Sequence, residues 1–359
     1  MRVHIISYED LEDWILGKFA TRLCDEVIAQ GVACDVSRSS DPTADINHHV
    51  NYSGYDGRKT TIDTLMVTHI NTNEKLERIR MQMVEAEMGI CMSSPTMEML
   101  AAQRAIPRSK LCFINPAHDG CLHHRKTIIG ITTRVYADGR KREAMLLELA
   151  KKISANDFAF RIMGNGWGPI VAQLQLYDFE IEYYERFDLD RYNSLMPTFD
   201  YYLYLGMDEG SMGFVDACAA GIPTIVTPQG FHLDAPNAIT HPFTDFPQLE
   251  RIFHHIAAEK KVRQRSVADW TWSNYARNHL IVWKYLLARS TGRRSTEPTH
   301  SQLAKLGVIA THRSSYMSFV NYLRRAMLKS IPYLPTFIKK AVPQVVKDFI
   351  KTRILGCSW

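Results

Sequence analysis

"MDEGSMGFVDACAAGIPTIVTPQG", residues 207–230, sets two carboxylates, Asp208 and Glu209, before a small-residue turn and a third, Asp216, just inside a helix. A run of Ala and Gly then ends at Pro223 and feeds an apolar strand. Turn, close-packed helix and strand in this order are one step of a stacked βα chain with a mostly parallel sheet. The glycines let a backbone or ligand approach closely. The helix start presents N–H groups to an anion, and the carboxylates can accept from hydroxyls. The plainer reading is that the acids cap the helix and favour its dipole.

The flanking sequence repeats that logic. "VHIIS" is followed by Gly17 and the amphipathic "KFATRLCDEVIAQG", which stops at Gly31 as helices commonly do. "TLMVTHI", "MGICMSS" and "KLCFINPAHDG" read as further strands and their exits. A second series starts at "KTIIGITTRV" and continues through "REAMLLELAKKI", "FAFRIMGNG", "FEIEYYERF" and "YYLYLG". Two α/β halves are expected, joined near residues 119–126. With 359 residues, 46% of them hydrophobic, the chain can bury a core in each.

Charge is unevenly spread. From Ala288 to Trp359 there are 13 Lys and Arg against two acids, Glu297 and Asp348, so this end carries +11. Against +5 overall, residues 1–287 therefore carry −6. Aromatic and aliphatic residues alternate with cations from Met317 onward, the composition of an interfacial helix on anionic lipid. Packing on the body or on another subunit is the alternative. The stretch "RSTGRRSTEPTHSQ" before it reads as a linker. No apolar run approaches the ~20 residues that span a bilayer, and "MRVHIISYED" reads as a first strand rather than a signal peptide. Seven cysteines with no C-x-x-C pair read as reduced thiols. The sequence carries no recognised nucleic-acid motif.

The second half resembles the nucleotide-binding domain of family-4-like (group 1) glycosyltransferases with the GT-B fold, of the bacterial surface-polysaccharide type. The resemblance rests on "IIGITTRVYADGRKREAMLLELA", "FRIMGNGWGPI", "EGSMGFVDACAAGIPTIVTPQG" and "WSNYARNHLIVWKYLL", in that order, and covers residues 125–287. It implies two Rossmann-like domains facing each other across a cleft: an acceptor-side domain at 1–120 and a nucleotide-sugar domain at 125–275. A helix at 273–288 would pack back on the first domain. Residues 289–359 would form the linker and a basic amphipathic tail on a membrane surface.

The same resemblance implies roles. Arg134 and Lys141 (or Arg140) would hold the donor diphosphate, and Asp216 the ribose. Gly164, Gly166, Gly210, Ser211, Met212 and Gly213 would supply turns and backbone N–H groups. The spacing to Asp216 leaves open whether Asp208 or Glu209 faces the donor sugar. Gly17, placed before a helix, would lie close to the phosphates and acceptor, His69, at a strand end, would contact the donor sugar as a catalytic residue, and His118 would border the cleft. The implied activity is a metal-independent, retaining transfer from a UDP- or GDP-sugar to a saccharide or lipid-linked saccharide, with no cofactor and no nucleic-acid partner. The enzyme would be cytoplasmic, peripheral on the membrane face. A nucleotide-sugar 2-epimerase of the same fold and a non-enzymatic binding protein are the rivals. "DLD" at 188–190 imitates a metal-binding Asp-x-Asp but reads better as a helix cap. The pairs His48–His49 and His123–His124 lack metal-ligand spacing and read as surface or loop residues.

Overall fold

The computed structural model describes residues 1–102, 106–122, 124–292 and 298–309. The chain forms two compact units, one of residues 1–121 with 266 onward, the other of Leu122–Arg265. Both are α/β with an all-parallel six-stranded sheet, the fold class expected from the sequence.

Unit 1 contains β1 (Arg2–Ile6), α1 (Ile15–Ala29), β2 (Ala33–Ser37), β3 (Ile46–His49), β4 (Ile62–Val67), α2 (Asn73–Glu85), β5 (Met88–Cys91), α3 (Ser94–Ala102) and β6 (Leu111–Phe113). Its strand order is β2-β1-β3-β4-β5-β6, so the winding reverses between β1 and β3. Every residue of β3, β4 and β5 is buried, as expected of central strands covered on both faces. In α1 the buried residues Phe19, Ala20, Leu23 and Val27 recur at helical spacing. Gly31, at φ +80°, turns the chain out of that helix.

Unit 2 contains β7 (Thr127–Ile131), α4 (Ala144–Ala150), β8 (Phe158–Met163), α5 (Gly168–Leu176), β9 (Glu180–Tyr184), α6 (Leu189–Leu195), β10 (Tyr201–Tyr204), α7 (Met212–Ala219), β11 (Thr224–Val226), β12 (His241–Pro242) and α8 (Phe246–Ser266). The strand order β12-β11-β10-β7-β8-β9 puts the reversal between β7 and β10. Asp188 accepts from Arg191 N at 2.8 Å and so caps α6.

The chain then returns to unit 1 with α9 (Trp272–Ser290) and α10 (His300–Lys305). Trp272, Tyr275, Ala276, Leu280 and Trp283 of α9 join Phe19 and Leu23 in one buried cluster. Two boundaries differ from expectation. Unit 2 ends at Arg265 rather than 275, because the segment before α9 already bonds to unit 1: His118 N donates to Trp270 O at 2.8 Å. Nor is the chain a linker and tail from 289 onward. Thr299 and Gln302 form a capping box on α10, Leu303, Leu306 and Val308 are buried in the unit 1 cluster, and Phe113 N donates to Leu306 O at 3.0 Å. The basic stretch beyond, and His123, lie outside the described residues.

Two further expectations are corrected. Gly17 does not precede a helix but lies in the first turn of α1, where a Cβ would sit 2.2 Å from Asp10 O. His48 and His49 are not surface residues; they occupy the central strand β3 and are fully buried on its two faces. His48 Nδ1 meets Thr64 Oγ1 at 3.0 Å, and its ring lies 5.0 Å from that of His279 in α9.

Candidate functional site

In open parallel sheets, ligands bind beyond the carboxyl ends of the strands where the winding reverses. In unit 2 that edge is formed by the loops after β7, β8 and β10, three adjacent strands. Arg134, Arg140 and Lys141 are on the first loop, Gly164 and Gly166 on the second, and Asp208 to Ser211 on the third. The candidate residues of unit 2 thus share one edge.

Close approach explains two of the glycines. Gly164 has φ +152°, and a Cβ there would fall 1.9 Å from Thr133 O. A Cβ on Gly213 would fall 2.2 Å from Thr132 Oγ1, so the start of α7 rests directly on the exit of β7. The hydroxyl of Ser211 is turned to Tyr202 OH at 2.8 Å instead of capping α7. The N–H groups of Met212 and Gly213 precede the first intrahelical bond and carry the positive end of the helix dipole.

The cations divide by burial. Lys141 is only 4% exposed. Its ammonium donates to Asp208 Oδ1 at 2.7 Å, Tyr204 OH at 2.8 Å and Gly210 O at 3.3 Å. An ammonium has three donors, so all three are used inside the protein. Asp208 also accepts from Gly210 N at 2.9 Å and from Tyr204 OH, and Arg140 Nε lies 3.4 Å away. Partial burial raises its carboxyl, but the hydrogen bonds from Lys141, Tyr204 and Gly210 outweigh this and hold it below the ordinary value. Burial, then the bond to Asp208, pushes the Tyr204 phenol well up.

Arg134 and Arg140 are exposed and flank one ring, their guanidinium carbons 5.3 and 4.0 Å from the centre of Tyr136. Glu209 is exposed, lies over Gly230, and its carboxylate accepts no hydrogen bond from a described residue. Asp216, also exposed, accepts from Tyr192 OH of α6 through one oxygen.

Three residues that hold this edge were not singled out in the sequence. Arg142, at φ +50°, donates to Leu205 O, Thr244 O and Thr227 Oγ1, tying the β7 loop to the ends of β10 and β11. Gln229 pins the acidic loop by donating to Gly206 O at 2.9 Å and Asp208 O at 2.8 Å. His232, fully buried against Phe214 and Phe231, has its pKa lowered by burial. Only Arg142, inside the "GRKRE" run, carries a local signal.

Gly17, His69 and His118 belong to unit 1 and are not part of that edge. His69 is exposed, and its Nε2 lies 3.0 Å from Lys75 Nζ. His118 joins two chain segments: its Nε2 meets Val267 O at 3.2 Å and its Nδ1 accepts from Gly120 N at 3.1 Å. The reversal edge of unit 1 instead carries an inward network. Tyr8 OH meets His49 Nδ1 at 2.8 Å, and His49 Nε2 lies 3.6 Å from the buried Asp63 Oδ1. Asp63 also accepts from Thr60 N at 2.7 Å, which closes the loop before β4. Among the described residues, His4, Asp35 and Asp41 bring three ligand-type atoms together. There Arg2 pairs with both carboxylates, and both ring nitrogens of His4 are hydrogen-bonded.

No protein-family model and no curated protein matches the sequence. Solved structures similar to the chain include the lipopolysaccharide outer core galactosyltransferase WaaB in its apo form, at 11% identity, covering 81% of this chain and 100% of that one, with a TM-score of 0.33. A glycosyltransferase from Rickettsia africae is 12% identical over 80% of this chain and 98% of that one, with a TM-score of 0.31. HepE from Anabaena, in complex with UDP and glucose, is 11% identical over 79% of this chain and 99% of that one, with a TM-score of 0.33. At such scores the chemistry of this chain has to be read from its own residues.

Proposed function

We propose that the chain is a GT-B, retaining glycosyltransferase that moves a sugar from a UDP- or GDP-linked donor to a saccharide or lipid-linked saccharide in surface glycan assembly. The observation that carries this reading is the grouping at one sheet edge of two exposed guanidinium groups, an uncapped helix start, bare glycine turns and two exposed carboxylates. A diphosphate leaving group needs cations and N–H donors, and Arg134, Arg140 and the α7 N–H groups of Met212 and Gly213 offer both. Asp216 retains a carboxylate oxygen for a ribose hydroxyl. Glu209, rather than the ion-paired Asp208, is the carboxylate available to a sugar hydroxyl. Lys141 acts by positioning the acidic loop.

Most of the catalysis would come from neutralising charge as it grows on the leaving diphosphate. Those protein groups supply the charge, so turnover should persist in excess chelator. The basic, aromatic-rich sequence from Met317 onward supports a peripheral location on the cytoplasmic membrane face, where a lipid-linked acceptor would be found.

The test is a panel of nucleotide sugars titrated against the full chain and then assayed for transfer. One donor should bind, and Asp216→Ala should weaken it by about 1.5–3 kcal/mol, the scale of a lost hydrogen bond to a charged group. Absence of binding by every UDP- and GDP-sugar would sink the proposal.

A further inference from the structure

A cavity of about 530 Å³ lies wholly within unit 1, between the exit of β6, the segment leading into α9, one face of α9, and α10. Its volume is in the range of small-ligand sites. None of the unit 2 residues discussed above lines it.

The lining comes from a deliberate division of α9. Tyr275, Ala276, His279, Val282 and Trp283 are buried in the core of unit 1. Asn274, Arg277, Asn278 and Ile281, at spacings of three, four and seven, put another stripe of the same helix on the cavity. Lys305 and Gln302 face it from α10, and Asp269 and Trp270 from the segment before α9.

Part of the hydrogen-bonding capacity there is open, although the Asn115 amide donates to Met92 O and that of Asn274 to Asp269 O. Arg277 uses one nitrogen on Asn274 Oδ1 at 3.0 Å. Among the described residues neither Arg277 nor Lys305 has a carboxylate partner, and the Asn278 amide has no hydrogen bond. Gln302 spends its oxygen on the α10 capping box, leaving its NH₂ group over. Arg277 and Lys305 outnumber the one carboxylate of the lining, Asp269, so the cavity favours an anion. Amides that both donate and accept suit hydroxyl groups, and the indole of Trp270, about one-third exposed, offers an apolar face to a sugar ring.

We infer that this cavity binds an anionic saccharide, its carboxylate or phosphate held by Arg277 and Lys305 and one sugar face lying against Trp270. The site is independent of the donor site proposed for unit 2.

The test uses the full chain in calorimetric titrations with trigalacturonate, glucose 6-phosphate, maltotriose and inorganic phosphate. At least one of the two charged sugars should bind about tenfold or more tightly than maltotriose, the effect of one charged hydrogen bond. Which one binds identifies the anion as carboxylate or phosphate. In the double variant Arg277→Gln/Lys305→Gln, both sites being exposed, that advantage should vanish while UDP binding stays unchanged. Trp270→Ala should weaken the sugars and leave inorganic phosphate unaffected. Equal affinity for maltotriose and the charged sugars, full affinity in the double variant, or phosphate binding as tightly as glucose 6-phosphate would each overturn the inference. UDP titration reports on unit 2 separately, so failure here and failure of the donor-site reading are told apart.

Discussion

The two sheets have the same architecture, yet their reversal edges use polar residues in opposite ways. In unit 1, His49 at the end of β3 is buried and turned to Tyr8. In unit 2, Lys141 and Arg142 are drawn inward, but Arg134, Arg140, Glu209 and Asp216 stay exposed. A polar group turned into the protein is withheld from a ligand, whereas one left exposed at such an edge is available to it. The difference teaches that position on the fold nominates a residue and its remaining hydrogen-bonding capacity decides its work.

Arg134→Ala puts the largest strain on this contrast. Turnover should fall about 100- to 1,000-fold, or roughly 2.7–4 kcal/mol, with no loss of folding stability. Kinetics on whichever donor the panel identifies, beside a urea melt, would check it; an unaltered rate would make the exposed edge of unit 2 as inert as that of unit 1.

Acid should act on the buried side of the comparison. Burial lowers the pKa of His279 to about 4 and holds His48 well below its ordinary value. The unfolded chain, with histidine near 6.5, then takes up protons first, so this stability is complete above pH 6.5 and is lost as pH falls toward 4. For His279 alone the loss reaches on the order of 3 kcal/mol. Urea melts between pH 7 and 4 should show it, and His279→Gln should flatten the slope; an unchanged slope would mean that the pair opens to solvent.

Lys141→Met tests the buried, ion-paired cation of the unit 2 edge. It should cost about 2–3 kcal/mol of stability, below the usual 3–5 for breaking a buried pair, because Asp208 is 26% exposed and water can screen it. Turnover should also fall as the acidic loop loosens. The smallest effect expected is Asp188→Ala, about 1 kcal/mol from loss of the α6 cap, with full activity in excess chelator. Strict metal dependence that disappeared in this variant would return "DLD" to the chemistry.

The unit 2 edge was legible because its information is local. "TTRVYADGRK" and "GNG" each follow a strand directly and "DEGSMG" starts within four residues of one, so the strand ends gather them. What the sequence did not disclose was which cation would be buried, since that depends on Tyr204 and Asp208, more than 60 residues away. Strand β3, "INHH", was illegible for the same reason. Its polarity makes sense only once Thr64, Tyr8 and His279 surround it. Helix α10 was hidden by the Gly-, Ser- and Pro-rich stretch before it, although Leu303, Leu306 and Val308 are buried together in one core.

That late return of the chain also sets an order of assembly. Unit 2 is one uninterrupted run, Leu122–Arg265, and holds all of its own core when Arg265 leaves the ribosome. Unit 1 begins first but lacks Trp272, Trp283, Leu303 and Val308, which cover its sheet, until about 40 further residues have been made. At roughly 5–20 residues per second this is a delay of about 2–8 s. The half translated first is therefore completed last, and for those seconds the apolar faces of Phe19 and Leu23 depend on whatever else in the cell can shelter them.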